Sequence, residues 1–179
     1  MPAKKQITRD MILRAALKLL REQGYEAVNI RRLAQELGCS TQPVYLSFSG
    51  MDELRAALIP AAVASFEAYM TGGMARLYDM SYIRFAKDEP HLFCFLFMRA
   101  NAFSEIKRVL MPLIERSILE LMALYGISHE EADLLHDQLW MHAHGIASMV
   151  STDFCDWNME KVQRMLAGCK RVFTEKYEA

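Results

Sequence analysis

The stretch NIRRLAQELGCSTQPVYLSF, residues 29–48, constrains this chain most. Asn29 is a good N-cap, because its side-chain oxygen can accept from an orphan amide of the first helical turn. Ile30, Leu33, Ala34 and Leu37 then share one face of the helix. Gly38 stands where that helix must end, and glycine enters the left-handed C′ conformation without a Cβ penalty. A second short helix can start at Ser40 or Thr41, with Val44 and Phe48 pointing back at the first. Ala34 is small enough for the two helices to approach closely. The pattern is a helix-turn-helix. The outer side of its second helix carries Thr41, Gln42, Tyr45 and Ser47, hydrogen-bonding groups of a size for base edges and phosphates. Two amphipathic helices joined at a glycine also occur in helical proteins of other kinds, so the flanking sequence has to decide.

Charge supports the first reading. The net charge of -1 conceals an asymmetry. Residues 1–50 hold eight Lys/Arg against four Asp/Glu, while residues 51–179 hold 13 against 18. A basic head on an acidic body suggests a nucleic-acid partner for the head alone. The chain is 53% hydrophobic, too apolar for a disordered polymer. Cys39, Cys94, Cys155 and Cys169 form no Cys-x-x-Cys pair, which fits reduced thiols in a cytoplasmic protein. The N-terminus lacks the apolar core of a signal peptide, and no run of about 18 apolar residues is present to span a membrane.

Around the motif the chain reads as all-α. Residues 1–7 form a basic arm in which Lys4 and Lys5 could reach phosphates. Thr8 can cap a first helix ending near Gln23, with Ile12, Ala15, Ala16, Leu19 and Leu20 as its stripe; Gly24 stops it and Tyr25 folds back on its end. A three-helix head therefore occupies about residues 8–48. A long helix starts near Asp52 and contains Pro60, which should kink it. Thr71-Gly72-Gly73 ends it. Further helices are expected over Met74–Lys87, His91–Met98 and Ser104–Tyr125, the last bent or restarted at Pro112. Ser128-x-x-Glu131 is a capping box opening a helix to about Ser151. The last helix covers Asn158 to Lys176.

From Thr8 to Leu54, several features occur together: Gly24-Tyr25, Leu33-Ala34 and Gly38, Tyr45-x-x-Phe48, then Glu53-Leu54. This combination resembles the DNA-binding domain of the tetracycline-repressor (TetR) family. The resemblance implies an all-helical, homodimeric transcription regulator with a C-terminal ligand-sensing domain. Family members often carry a lysine at the start of the following helix, where it contacts phosphate; this chain has Met51. Losing one such contact flattens the salt dependence of binding by about one unit. Further on, Tyr82-Ile83-Arg84-Phe85-Ala86, Pro90, Phe93 and Trp140-x-x-x-His144-Gly145 are similar to a subset of the family's sensor domains marked by that tryptophan, histidine and glycine.

The expected architecture is a helix-turn-helix domain over residues 1–50 and a larger helical ligand-binding and dimerisation domain over residues 51–179, about nine helices in all. Under this reading Lys4, Lys5 and Arg9 hold phosphates. Asn29 and the amides at its helix end grip the DNA backbone. Arg31 adds a phosphate or groove contact. Ser40, Thr41, Gln42 and Ser47 face the groove, with Gln42 suited to adenine N6/N7. Tyr45 gives its hydroxyl to a phosphate.

The body is rich in methionine and aromatic residues, which suit an adaptable binding surface. Phe66, Tyr69, Phe85, Phe97, Met98, Phe103, Trp140, Met141 and His144 are candidates to line an apolar pocket for a small-molecule effector. The last two helices carry apolar stripes, Leu135, Leu139, His142, Ile146 and Met149 on one, Val162, Met165, Leu166, Cys169 and Phe173 on the other. These stripes suggest a four-helix contact with a second copy. His144-Gly145 suits a close helix approach. His136 and Asp133 have i, i+3 spacing, but a packing histidine is the better reading than a metal ligand. No phosphate-binding glycine loop, His-Glu-x-x-His or Gly-x-Ser-x-Gly element occurs, so neither enzyme chemistry nor a cofactor is expected. The competing reading is a helical small-molecule-binding or scaffold protein whose head no longer binds DNA, for which Met51 is the sole support.

Overall fold

A computed structural model describes residues 6–70 and 78–177. Lys4, Lys5, Thr71-Gly72-Gly73 and Met74–Leu77 lie outside the described residues. Nine α-helices occur among those described: α1 Arg9–Gln23, α2 Ile30–Leu37, α3 Gln42–Ser47, α4 Met51–Met70, α5 Met80–Asp88, α6 Pro90–Phe97, α7 Ala102–Tyr125, α8 His129–Ser151 and α9 Met159–Thr174. Short 3-10 turns at Tyr25–Ala27 and Glu175–Tyr177 complete the fold.

The helix ends follow local chemistry. The Thr8 hydroxyl accepts from the Met11 amide, Asn29 Oδ1 from the Arg32 amide, and Asn158 Oδ1 from the Lys161 amide. Ser128 and Glu131 form the reciprocal capping box. Each satisfies donors that the first turn of a helix leaves unpaired. Gly38 and Gly126 end α2 and α7 in the left-handed region, at φ 65° and 64°.

Three boundaries differ from expectation. Helix α3 begins at Gln42, with Thr41 as its N-cap residue and Pro43 in its first turn. Helix α7 begins at Ala102, two residues early, because Asn101 takes a left-handed conformation and turns the chain there. It runs on through Pro112 without restarting, as α4 does through Pro60. Helix α5 begins at Met80 rather than near Met74.

Helix α1 lies across α2 and α3 and also packs on α4 and α6. Helix α8 is the axis of the body, touching α5, α6, α7 and α9. One contiguous apolar core runs from Ile12 in the head to Leu166 in α9. Tyr25 follows the end of α1, and its ring packs 5.0 Å from Phe95 of α6. Beside it, Arg21 pairs with Glu89 at 3.1 Å, and His91 Nδ1 lies 2.8 Å from the Arg21 carbonyl. Head and body thus meet through the C-terminal end of α1.

The apolar stripes of α8 and α9 require a correction. Leu135, Leu139, Ile146, Val162 and Leu166 are buried within one chain, and Phe173 is half-buried against the same core. They pack α8 and α9 onto the rest of the body, and the five buried ones leave little surface on that side for a second copy. The faces turned outward carry Leu134, Met141, Met149 and Val172 instead. Gly145 sits on that outer side of α8, where an added Cβ would meet nothing within 4 Å. It therefore serves no close helix approach inside the monomer.

Candidate nucleic-acid interface

The turn between α2 and α3 is built by backbone hydrogen bonds. The Cys39 amide donates to the Ala34 carbonyl at 2.9 Å and the Gly38 amide to Gln35 at 3.1 Å. This pair of bonds is the Schellman closure, which requires the left-handed residue that Gly38 supplies. Lys18 Nζ, 2.6 Å from Glu36 Oε1, ties α1 to α2. The carboxylate at that distance raises the lysine pKa.

Helix α3 has only six residues, too few to be stable unless held from outside. Val44 and Phe48 are its anchors, 1% and 3% exposed. Arg9 reaches over from α1. Its guanidinium lies 4.0 Å above the Phe48 ring, and Nη1 donates to the Ser47 carbonyl at 2.6 Å and to Glu53 Oε1 at 2.9 Å. Glu53 Oε2 accepts from the Ser49 amide and hydroxyl at 2.8 and 2.9 Å. The Ser49 amide, then Arg9, hold the Glu53 carboxyl down at about 2. The C-terminal end of α3 is thereby fastened to both α1 and α4.

What α3 turns outward is mostly neutral. Ser40, Gln42 and Tyr45 are exposed, while Thr41 and Ser47 are half-buried. Arg31 is exposed in the first turn of α2. Asn29 is occupied by its cap, so α2, rather than the Asn29 amide group, offers the amides of its first turn. Arg9 is committed to Ser47, Phe48 and Glu53, and any phosphate contact has to share it with them. Sequence reasoning missed two residues here. Glu53 was visible only as part of a motif, with no sign of its pairing across 44 positions with Arg9. Leu46 was passed over, yet it is 81% exposed. Its signal was its i, i+4 spacing from Gln42 on the outward face. Met51, at the place where a lysine was expected, is half-buried against the core.

In the body, the structure gathers some candidate pocket residues and scatters others. Phe66 packs on Phe85 at 5.1 Å and on Phe97 at 5.3 Å; Tyr69 packs on Phe85 at 5.3 Å, and Trp140 on His144 at 5.3 Å. Tyr82 and Phe93, which entered the sequence reading through the sensor-domain resemblance and not as pocket candidates, sit among them. Tyr82 Oη lies 2.9 Å from His144 Nδ1. Burial pushes the Tyr82 hydroxyl pKa far up, so it stays protonated. The Trp140 indole pulls it back slightly without forming a hydrogen bond of good geometry. Burial also lowers the His144 pKa. Neutral tyrosine and neutral imidazole are thus matched partners.

Phe66 and Phe85 are fully enclosed in this packed cluster. Met98, Phe103 and Met141 lie on the surface instead. A cavity of about 190 Å³ opens elsewhere, between α5, α8 and α9, lined by Tyr78, Leu139, His142 and Lys170 among others. Another of about 320 Å³ lies between α4 and α7, at Arg55, Pro60 and Glu105. None of the nine candidate pocket residues lines either one. Among the described residues no three His, Cys, Asp or Glu side chains are placed to hold a metal ion.

Residues 12–58 match the tetR family of bacterial regulatory proteins. The match covers the head and the start of α4. Solved structures share the fold over nearly the whole chain. A protein of unknown function from Rhodococcus sp. RHA1 is 18% identical, covers 100% of both chains and has a TM-score of 0.71. A transcriptional regulator from the same organism is 17% identical, with 97% of this chain and 99% of its own covered at a TM-score of 0.68. A TetR-family protein from Vibrio parahaemolyticus is 17% identical, with coverage of 92% and 97% and a TM-score of 0.61. No curated protein matches the sequence. The chain shares the fold of these structures over nearly its whole length, and its helix-turn-helix head matches that of the tetR family. No described helix is long and apolar enough to cross a membrane.

Proposed function

We propose that the chain is a ligand-responsive transcription regulator, a cytoplasmic repressor that binds a near-palindromic operator as a homodimer. The observation that carries this is the presentation of α3. A helix of six residues is clamped at Val44, Phe48 and Arg9 while Gln42 and Tyr45 are left free in solvent. Ordering a short helix this firmly, with polar groups outward and no hydrogen-bond partner for Gln42 or Tyr45 among the described residues, suits a groove. The surplus of positive charge in residues 1–50 supplies the attraction to phosphate.

The division is taken at residue 50, with residues 1–50 as the DNA-binding domain and residues 51–179 as the sensor and dimerisation domain. Lys4, Lys5, Arg9, Arg31 and the Tyr45 hydroxyl are assigned to phosphates, the α2 end at Asn29 to the DNA backbone, and Ser40, Thr41, Gln42 and Ser47 to the groove face. The sensor is placed at the aromatic cluster around Tyr82 and His144, as part of its likeness to the Trp-His-Gly subset. Because that cluster is packed, an effector has to separate its rings, and such an effector acts by favouring one spacing of the two heads over another. The partner surface is the outward face of α8 and α9, through Leu134, Met141, Met149 and Val172.

The test is binding to the DNA upstream of the protein's own gene and to a random duplex pool. Gln42→Ala and Tyr45→Phe should each weaken binding to the enriched duplex. Enrichment of no duplex at low salt would leave the second reading, a helical binding or scaffold protein, in its place.

A further inference from the structure

We propose that Leu46 reads the 5-methyl group of a thymine, making it a specificity-determining residue for the operator. This rests on the DNA-binding reading above and deepens it. Leu46 is 81% exposed, the most exposed of the large apolar side chains in the described residues. It plays no part in holding α3, which Val44, Phe48 and Arg9 already fasten. Ser40, Gln42 and Tyr45, the other exposed side chains between Ser40 and Phe48, each carry a hydrogen-bonding group, so Leu46 is the apolar point of this face.

The surroundings of Leu46 narrow what that partner is. From Cys39 to Gly50 the chain contains no charged residue. The outward face of α3 therefore adds no cation for phosphates, and its contribution has to come from hydrogen bonds and apolar contact at base edges. In the major groove the thymine methyl is the one apolar feature among the base-pair edges. Gln42 stands four residues before Leu46 on the same face, about 6 Å along the axis at 1.5 Å per residue. Successive base pairs are separated by about 3.4 Å. Gln42 and Leu46 therefore address different base pairs of one half-site, one suited to adenine N6/N7 and the other to a thymine methyl. The half-site should contain an A·T pair for each.

The experiment starts from duplexes enriched by the full-length protein out of a random pool. Each thymine of the enriched site is replaced singly by deoxyuridine, which keeps every hydrogen bond and removes only the methyl. Binding is followed by fluorescence anisotropy for the wild-type protein and for Leu46→Ala. One thymine per half-site should weaken wild-type binding by about three- to fivefold, the effect of one buried methyl. The same replacement should leave Leu46→Ala unchanged, and the variant should bind thymine and deoxyuridine duplexes alike. Its melting temperature should equal that of the wild type, since the side chain is exposed. If the wild type is indifferent to every replacement, or Leu46→Ala keeps the full sensitivity, Leu46 is not the reader. If no duplex is enriched at all, the DNA-binding reading falls and takes this inference with it.

Discussion

Arg9 and Glu53, 44 positions apart, meet at 2.9 Å at the C-terminal end of α3. Arg9 also holds the Ser47 carbonyl, and Glu53 holds Ser49, so both ends of the loop leaving α3 are gripped by one ion pair. The pair is solvent-exposed, and an exposed pair adds little to global stability. Its effect is on the angle at which α3 leaves the head. Arg9→Ala should lower the melting temperature by only a few degrees yet weaken operator binding by roughly tenfold. Anisotropy titration beside thermal melting separates the two effects.

The same carboxylate predicts an acid response. The Glu53 pKa falls from 4.5 to about 2 in the folded protein. A depressed carboxylate contributes stability above its unfolded pKa, and this is lost as pH falls through the folded value. Wild type should therefore exceed Glu53→Gln in stability above pH 4.5, with the gap closing between 4.5 and about 2. Denaturant melts of the two proteins across that window check it.

Tyr82 and His144 predict a second pH dependence of the same sign by a different route. The groups packed around His144 are Tyr82, Phe93, Phe97 and Trp140, all uncharged. Burial lowers the pKa of His144, as it does for His136, so the unfolded chain binds protons first as pH falls below 6.5, the ordinary imidazole value. Stability is present above 6.5 and declines as pH falls toward the folded pKa. Tyr82→Phe should cost about 1–2 kcal/mol at neutral pH by leaving the His144 ring nitrogen unpaired. Chemical denaturation at pH 7.5 and pH 5.5 measures both.

Gly38 isolates a backbone effect. At φ 65° it is left-handed, yet an added Cβ would meet nothing within 4 Å. Gly38→Ala should therefore cost about 1 kcal/mol from conformation alone, with Gly38→Asn recovering part of it. Asn29→Ala should cost about the same through the lost cap. Urea unfolding gives both values.

The outward face of α8 should separate assembly from folding. Met141 is 60% exposed and Leu134 55%, whereas Leu139, between them in sequence, is 4% exposed. Met141→Glu should yield a folded monomer by sedimentation velocity. Leu139→Ala should instead destabilise the chain by about 2–5 kcal/mol. If Met141→Glu sediments as a dimer, the surface has been placed wrongly.

Local chemistry was legible in the chain alone. Thr8, Asn29, Ser128-Glu131 and Asn158 mark helix starts, and Gly38 and Gly126 mark stops, because a cap or a left-handed residue acts within one helical turn of itself. The helix-turn-helix and the basic head were readable for that reason. Periodicity likewise showed that α8 and α9 carry apolar stripes. It could not say which neighbour covers them, since a stripe looks the same whether it faces its own body or a second copy. Only the packed structure placed Leu135, Leu139 and Val162 inside and left Leu134 and Met141 outside. The same holds for Arg9, whose pairing with Glu53 no sequence spacing suggested, and for Tyr82, whose partner stands 62 residues away. Such pairings depend on distance in space, which sequence separation does not encode.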